Sequence, residues 1–180
     1  MTDAGLTGKV VRLRALRATD LERLRGFIND PEVLRMSNVY RPISDAQQDA
    51  WWKHVAADPT AAWFAIDDVA SDVLVGTCCL VDVDWVARVA ELRVRIGDPG
   101  AWGRGFGSEA CVLLVEYAFL HLGLERVWLR VFAQHARAQR LYEKLGFVVE
   151  GRLRRHWQLQ GVRDDVIVMG LLHDEWRRHS

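Results

Sequence analysis

An α+β (α/β mixed) fold, a sheet covered by helices, is predicted by three observations. Apolar residues alternate at period two in several short segments and recur at i, i+3, i+4 and i+7 in others. These segments run in the order strand, helices, three strands, helix, strand, helix, two strands, with no repeat or low-complexity linker between them. Near the middle, a glycine-rich turn, Trp102-Gly103-Arg104-Gly105-Phe106-Gly107-Ser108, joins a strand to a long apolar helix. A length of 180 residues with half of them hydrophobic fits one domain, residues 1–180, with a substantial core.

The elements follow from local signals. Lys9–Arg14 alternates Val11 and Leu13 with basic residues, as a half-buried strand does. Thr19 and Glu22 form a capping-box pattern before the helical stripe Leu21, Leu24, Ile28. Pro31 and Pro42 bracket an irregular or short-helical stretch, and a second capping box, Ser44 to Gln47, opens a helix carrying Trp51 and Trp52. One of those tryptophans is expected in the core. Ala62–Asp67 and Val73–Val83 read as strands around a turn at Ser71-Asp72, and Arg88–Ile96 as the next strand. The central helix is expected from Ser108 to about Gly123. A strand over Val127–Phe132 precedes a helix with the stripe Ala138, Leu141, Tyr142, Leu145, which places Tyr142 on or beside the buried face. Phe147–Trp157 and Val162–Leu172 close the chain as a hairpin around Gln160-Gly161.

The central turn has the chemistry of an anion cradle. Glycines let backbone N–H groups approach a ligand closely. The first helical turn adds unpaired N–H groups and partial positive charge, which suit a phosphate or pyrophosphate. The spacing Gly-x-Gly-x-Gly is neither the Gly-x-Gly-x-x-Gly dinucleotide fingerprint nor a Walker loop. By itself it leaves a ligand-free glycine-rich turn equally open.

A second motif follows one helix and one strand later: His135-Ala136-Arg137-Ala138-Gln139-Arg140-Leu141-Tyr142-Glu143-Lys144-Leu145-Gly146-Phe147. Together the two resemble the signatures of the GNAT superfamily of N-acetyltransferases, Gln/Arg-x-x-Gly-x-Gly/Ala and Asn-x-x-Ala-x-x-Leu-Tyr-x-Lys-x-Gly-Phe. Val11–Leu16, Glu150-Gly151, Asp165–Leu172 and Asp174-Glu175-Trp176 are further similar to the RimJ/RimL-like branch. The resemblance covers nearly the whole chain. Two departures stand out: Trp102 replaces the usual Gln/Arg, and His135 stands where Asn is usual. The resemblance implies a mostly antiparallel twisted sheet with a splayed parallel pair. It also implies acetyl-CoA as co-substrate without a metal, and two N-terminal helices closing over an amine acceptor. RimJ/RimL likeness implies a protein N-terminal α-amine, while similar sequences acetylate small amines, polyamines, amino sugars or antibiotics.

Composition narrows the alternatives. Lys+Arg and Asp+Glu both number 24, so no global field favours nucleic acid or an anionic membrane. No apolar run spans a bilayer and no signal-peptide pattern opens the chain. Cys78, Cys79 and Cys111 have no metal spacing and fit free thiols in a reducing cytoplasm. The expected partners are acetyl-CoA and an amine acceptor, with no nucleic acid and no membrane; a homodimer is left open.

The resemblance places the pyrophosphate at Trp102, Gly103, Arg104, Gly105, Phe106, Gly107 and Ser108, the pantetheine arm along Val94, Arg95 and Ile96, and a further cofactor contact at His135. Arg137 and Arg140 are candidates for the outlying phosphates. A backbone N–H on that strand would polarise the thioester carbonyl. Tyr142 would protonate the leaving thiolate. A phenol near pKa ~10 against a thiol near ~8.5 makes that transfer uphill by about 2 kcal/mol. Glu91, acting through water, is the expected base; it needs burial to raise a carboxyl from its ordinary ~4.3. Asp165 or a water chain is the alternative, and a core tyrosine is the other reading of Tyr142. The competing function is a non-catalytic acyl-CoA sensor or interaction module.

Overall fold

A computed structural model describes residues 6–35, 41–159 and 161–176. Its strands are β1 (Leu6–Thr7), β2 (Val11–Ala15), β3 (Ala62–Asp68), β4 (Val73–Asp84), β5 (Val89–Ile96), β6 (Arg126–Phe132), β7 (Val148–Leu159) and β8 (Val162–Leu172). Its helices are α1 (Leu21–Asn29), α2 (Pro31–Arg35), α3 (Asp45–Ala57), α4 (Phe106–Glu116) and α5 (Ala136–Lys144). The strands form one mixed sheet in the order β1-β2-β3-β4-β5-β6-β8-β7. β2 pairs antiparallel with β3, and β8 antiparallel with both β6 and β7. The parallel ladder joins Val89–Glu91 to Arg126–Trp128, and both strands run on beyond it. The mixed sheet and covering helices are as the sequence predicts. Gln160 and residues 36–40, which the sequence reading placed in a turn and an irregular stretch, lie outside the described residues.

The chain divides into two compact units, residues 1–79 with 94–113 and residues 80–93 with 114–180, so β4 and β5 belong partly to each. In the first unit, Leu24, Ala65 and Leu74 form a buried cluster against which Leu16, Phe27 and Trp51 pack. Trp51 also meets Trp63 edge-to-face at 5.3 Å, so it is the tryptophan of the pair that serves the core. In the second unit, the alternation along β6 buries Val127, Leu129 and Val131, joined by Leu114, Leu124, Met169 and Leu171.

Ser44 caps α3 as expected: Gln47 N–H donates to its Oγ at 3.3 Å, and Ser44 N–H donates to Gln47 Oε1 at 3.0 Å. The Thr19 capping box does not form. α1 starts at Leu21, preceded by a 3-10 turn over Ala18–Asp20. Asp20 Oδ2 accepts the Arg17 N–H at 2.8 Å, and its carboxylate grips Arg14 at 2.8 and 3.0 Å. Arg14 also donates to Asp67 at 2.7 and 3.1 Å, so a buried guanidinium lies between two buried carboxylates. The hydrogen bonds that Arg14 donates to Asp20 push the Arg14 pKa up. Burial pushes Asp20 up, but Arg14 and the Arg17 N–H outweigh it and hold the carboxyl low. A local capping signal loses here to a buried charge that must be paired.

α4 starts at Phe106, two residues before the expected Ser108, and gives way at Tyr117–His121 to a wide π turn that ends before Gly123 at φ +63°.

Removing Arg14 leaves Asp20 and Asp67 buried without their main partner. Arg14→Leu is expected to lose about 3–5 kcal/mol of stability, read as a lowered urea midpoint at pH 7. A loss under about 1 kcal/mol, the range of an exposed pair, would show the network to be surface-like.

Candidate active site

The turn before α4 takes its shape from two left-handed glycines, Gly103 at φ +84° and Gly105 at φ +88°. They set the backbone that leads into α4, whose first N–H groups have no carbonyl partner within the helix. A Cβ on Gly105 would meet nothing of the protein within 4 Å, so the space beside it is open to a ligand. Gly103, Arg104, Gly105 and Ser108 are exposed, Gly107 is half-buried and Phe106 is buried. These features fit the pyrophosphate of a coenzyme A thioester.

Several side chains fix this cradle. The Trp102 indole N–H donates to the Ile96 carbonyl at 2.9 Å, tying the loop to the end of β5. Arg104 lies 4.6 Å over the Phe106 ring and reaches Asp68 Oδ2 at 3.4 Å. The carboxylate of Glu109, in the first turn of α4, accepts the backbone N–H groups of Lys9, Val10 and Val11, each at 2.7 Å. Sequence reasoning missed Glu109. An acidic residue in the first turn of a cradle helix was the available signal, but its partners lie about a hundred positions away.

Arg95 and Gly97, which flank Ile96 in the chain, line an apolar cavity of about 260 Å³. Leu24, Phe27, Ile43, Trp51 and Trp63 supply much of the wall, and Gln48 and Thr77 add polar groups. The floor depends on close backbone approach: a Cβ on Gly76 would sit 2.2 Å from the Arg95 carbonyl oxygen. Val94 and Ile96 are half-buried and Arg95 is exposed, so their backbone is the part suited to the pantetheine arm.

The other expected residues belong to the second unit. Tyr142, on α5, is half-buried with its ring edge-on to Phe147 at 5.8 Å. Its carbonyl accepts the N–H of Phe147 at 2.9 Å. His135 precedes α5 without a side-chain capping bond. The Gln139 amide does that local work instead, donating to the carbonyls of Phe132 and Ala133 at 3.1 and 2.8 Å. Burial, then the charge of Arg137, lowers the His135 pKa, so the imidazole is neutral at pH 7. Arg137 and Arg140 are exposed on α5.

Glu91 has the wrong acidity for the base expected from sequence. It is 2% exposed, and burial does push its carboxyl up. Arg93 donates to it at 2.6 Å and Arg130 at 2.9 and 3.1 Å, and these outweigh burial, so the net shift is downward. A carboxylate already holding two guanidiniums is a poor proton acceptor. Asp165 is no better: the Arg155 N–H at 2.7 Å and the Arg152 guanidinium lower its pKa as well.

Gly105→Ala is expected to fold but to weaken acetyl-CoA binding about tenfold, because a non-glycine residue at positive φ is strained by about 1–2 kcal/mol and intrudes on the ligand's space. Calorimetry reads the affinity; unchanged binding in a folded variant would move the phosphate site elsewhere. For Glu91→Gln, the kcat/KM-against-pH profile should run parallel to the parent, and stability should fall by about 2 kcal/mol as charge-assisted hydrogen bonds are lost. Because the folded carboxyl is lowered, the stability gap is full above the ordinary pKa of 4.5 and closes as pH falls below it. A variant whose activity recovers at high pH would restore Glu91 as base.

An Acetyltransferase (GNAT) domain profile matches residues 11–148. An uncharacterized N-acetyltransferase, p20, of Bacillus licheniformis is 30% identical over 168 residues, covering 91% of this chain and 93% of that one. The spermidine N(1)-acetyltransferase of Vibrio cholerae is 28% identical over 170 residues, 93% of this chain and 96% of that one. A crystal structure of the Vibrio cholerae spermidine N-acetyltransferase in complex with CoA and spermine superposes with a TM-score of 0.86 at 26% identity, covering 93% of this chain and 98% of that chain. None of these three names carries the RimJ/RimL branch that the sequence resembled. With the glycine cradle and a family match over most of its length, the chain belongs to the GNAT acetyltransferase family and is an acetyl-CoA-dependent N-acetyltransferase.

Proposed function

We propose that the acceptor is a small primary amine, attacking the thioester directly in a ternary complex, with both compact units forming one catalytic domain. The cavity lined by Arg95 and Gly97 carries this reading, because it is a small apolar recess next to the strand end that the cradle loop grips. At about 260 Å³ it is a little smaller than the roughly 300–1,000 Å³ of most ligand pockets and suits a small molecule better than a folded protein's N-terminal segment. The same family match extends over parts of both units.

The proton inventory follows from the residues described. The amine nitrogen forms a bond to the acetyl carbon, the carbon–sulfur bond breaks, the nitrogen loses one proton and the sulfur takes one. The family resemblance assigns a backbone N–H of the strand Val94–Ile96 to the thioester carbonyl oxygen, and the Trp102 indole holds the Ile96 carbonyl at that strand's end. Tyr142 gives the sulfur its proton, a role supported by the family motif around it. Water receives the amine's proton, because Glu91 and Asp165 are both held as low-pKa carboxylates. Glu91 acts as a positioning residue that fixes Arg93 and Arg130 along β5 and β6.

Tyr142→Phe tests the donor. Its contact with sulfur grows as the bond breaks, so kcat should fall by about 10²-fold with KM for the amine little changed. The readout is free thiol release from acetyl-CoA with one accepted amine. A loss under about threefold, well short of one lost catalytic donor, would make Tyr142 a core residue and water the acid. Acetyl-CoA binding without thiol release from any amine would favour the non-catalytic sensor.

A further inference from the structure

The spermidine-acetylating relatives make a polyamine the obvious acceptor, yet the cavity lined by Arg95 and Gly97 has the wrong chemistry for one. Its described lining includes no carboxylate, and its one ionisable residue is the cation Arg95. The acids on the neighbouring helices are committed elsewhere or face solvent. Asp30 caps α2 through the N–H groups of Glu32 and Val33, Asp45 pairs with Arg25, and Glu22, Glu32 and Asp49 are exposed.

A polyamine that frees one amine for attack still carries at least one other ammonium, since alkylamines titrate near ~10.4. Burying that charge without an anion is strongly unfavourable. Aromatic faces offset part of it, by about 0.5–2 kcal/mol each. Here, however, the Phe27 ring already has the Arg23 guanidinium over it at 5.1 Å. Trp51 and Trp63 meet edge-to-face, the arrangement of packed hydrocarbon walls.

A second observation says what polar group the pocket expects. Gln48 is 8% exposed, lines the cavity, and among the described residues its side-chain amide has no hydrogen-bond partner, although its backbone N–H is held by Ser44. With no hydrogen bond to another described side chain, that amide opens onto the cavity and is available to a ligand. The amide is neutral, with one acceptor oxygen and an NH₂ donor. It can accept an N–H from an uncharged amine while leaving the nitrogen lone pair free to attack.

We infer that the acceptor is a primary monoamine on an apolar or aromatic body, held by its N–H at the Gln48 amide, with polyamines discriminated against. This rests on the acetyltransferase reading above and narrows its substrate class. Gln48 is thereby the specificity-determining residue of α3.

The test compares 2-phenylethylamine with spermidine at saturating acetyl-CoA. The expected kcat/KM favours 2-phenylethylamine by at least about tenfold, the discrimination of one buried polar mismatch. Gln48→Glu supplies the missing anion and should move the ratio toward spermidine by about tenfold or more, with acetyl-CoA affinity unchanged. Should that variant fail to fold, Gln48→Met carries the test. It removes the amide at similar volume and should raise KM for 2-phenylethylamine about tenfold with a smaller change in kcat. Spermidine used as well as or better than 2-phenylethylamine overturns the inference and leaves acetyl transfer standing. An unchanged KM in Gln48→Met overturns the role of Gln48. Acetyl-CoA binding with no thiol release from any amine overturns the acetyltransferase reading and this inference with it.

Discussion

A helix cannot satisfy its own first N–H groups, and in this chain that constraint falls at the start of α4. The chain fixes the backbone and side chains around those donors. Gly103 and Gly105 take the left-handed backbone that opens the space. The Trp102 indole ties the loop to Ile96, and Arg104 anchors to Asp68 and Phe106. Glu109 would be a competing negative charge beside a pyrophosphate, but three backbone N–H groups at residues 9–11 share its carboxylate. The helix end keeps its positive character while the same carboxylate pins the start of β2 against it.

The buried carboxylates with lowered pKa illustrate how much of the chain's charge is structural. Asp20 holds Arg14, and Glu91 holds Arg93 and Arg130; in both, pairing outweighs the upward push of burial. Such groups specify geometry and stay ionised at neutral pH. They are unsuited to proton transfer with an amine, because a base must have a pKa near that of the proton it takes. The cysteines lie at the other extreme. Burial pushes Cys111 up to about 12 and raises Cys78 well above its usual range, so neither is poised as a nucleophile.

The cavity in the first unit is governed by shape and low polarity. Gly76 lets β4 approach Arg95 closely enough to form the cavity floor, and Gly97 leaves room for the Phe27 ring, which a Cβ there would meet at 2.6 Å. Aromatic walls from α1, α3 and β3 then line a recess in which an unpaired ammonium is costly and a neutral amine is tolerable. Family membership sets the reaction; a fold shared with spermidine acetyltransferases does not by itself transfer their substrate.

The sequence alone determined the order of elements, the mixed sheet, the Ser44 cap and the cradle, because each rests on periodicity or on motifs within a few residues: Val127, Leu129 and Val131 alternate, and Gly103 and Gly105 sit together before a helix. Only the tertiary structure decided what depended on distant partners. Thr19 looked like a cap until Asp20 was seen to hold Arg14. Glu91 looked like a base beside the cradle strand, but Arg130 comes from a strand 39 residues later and reverses its acidity. Glu109 finds its partners 98 to 100 residues away, and Gln48 gains meaning only from the apolar walls that fold around it. Periodicity reports which face of an element is apolar; which charges and amides meet is set by contacts between segments far apart in the chain, where Coulomb and hydrogen-bond energies depend on ångströms that local sequence does not encode.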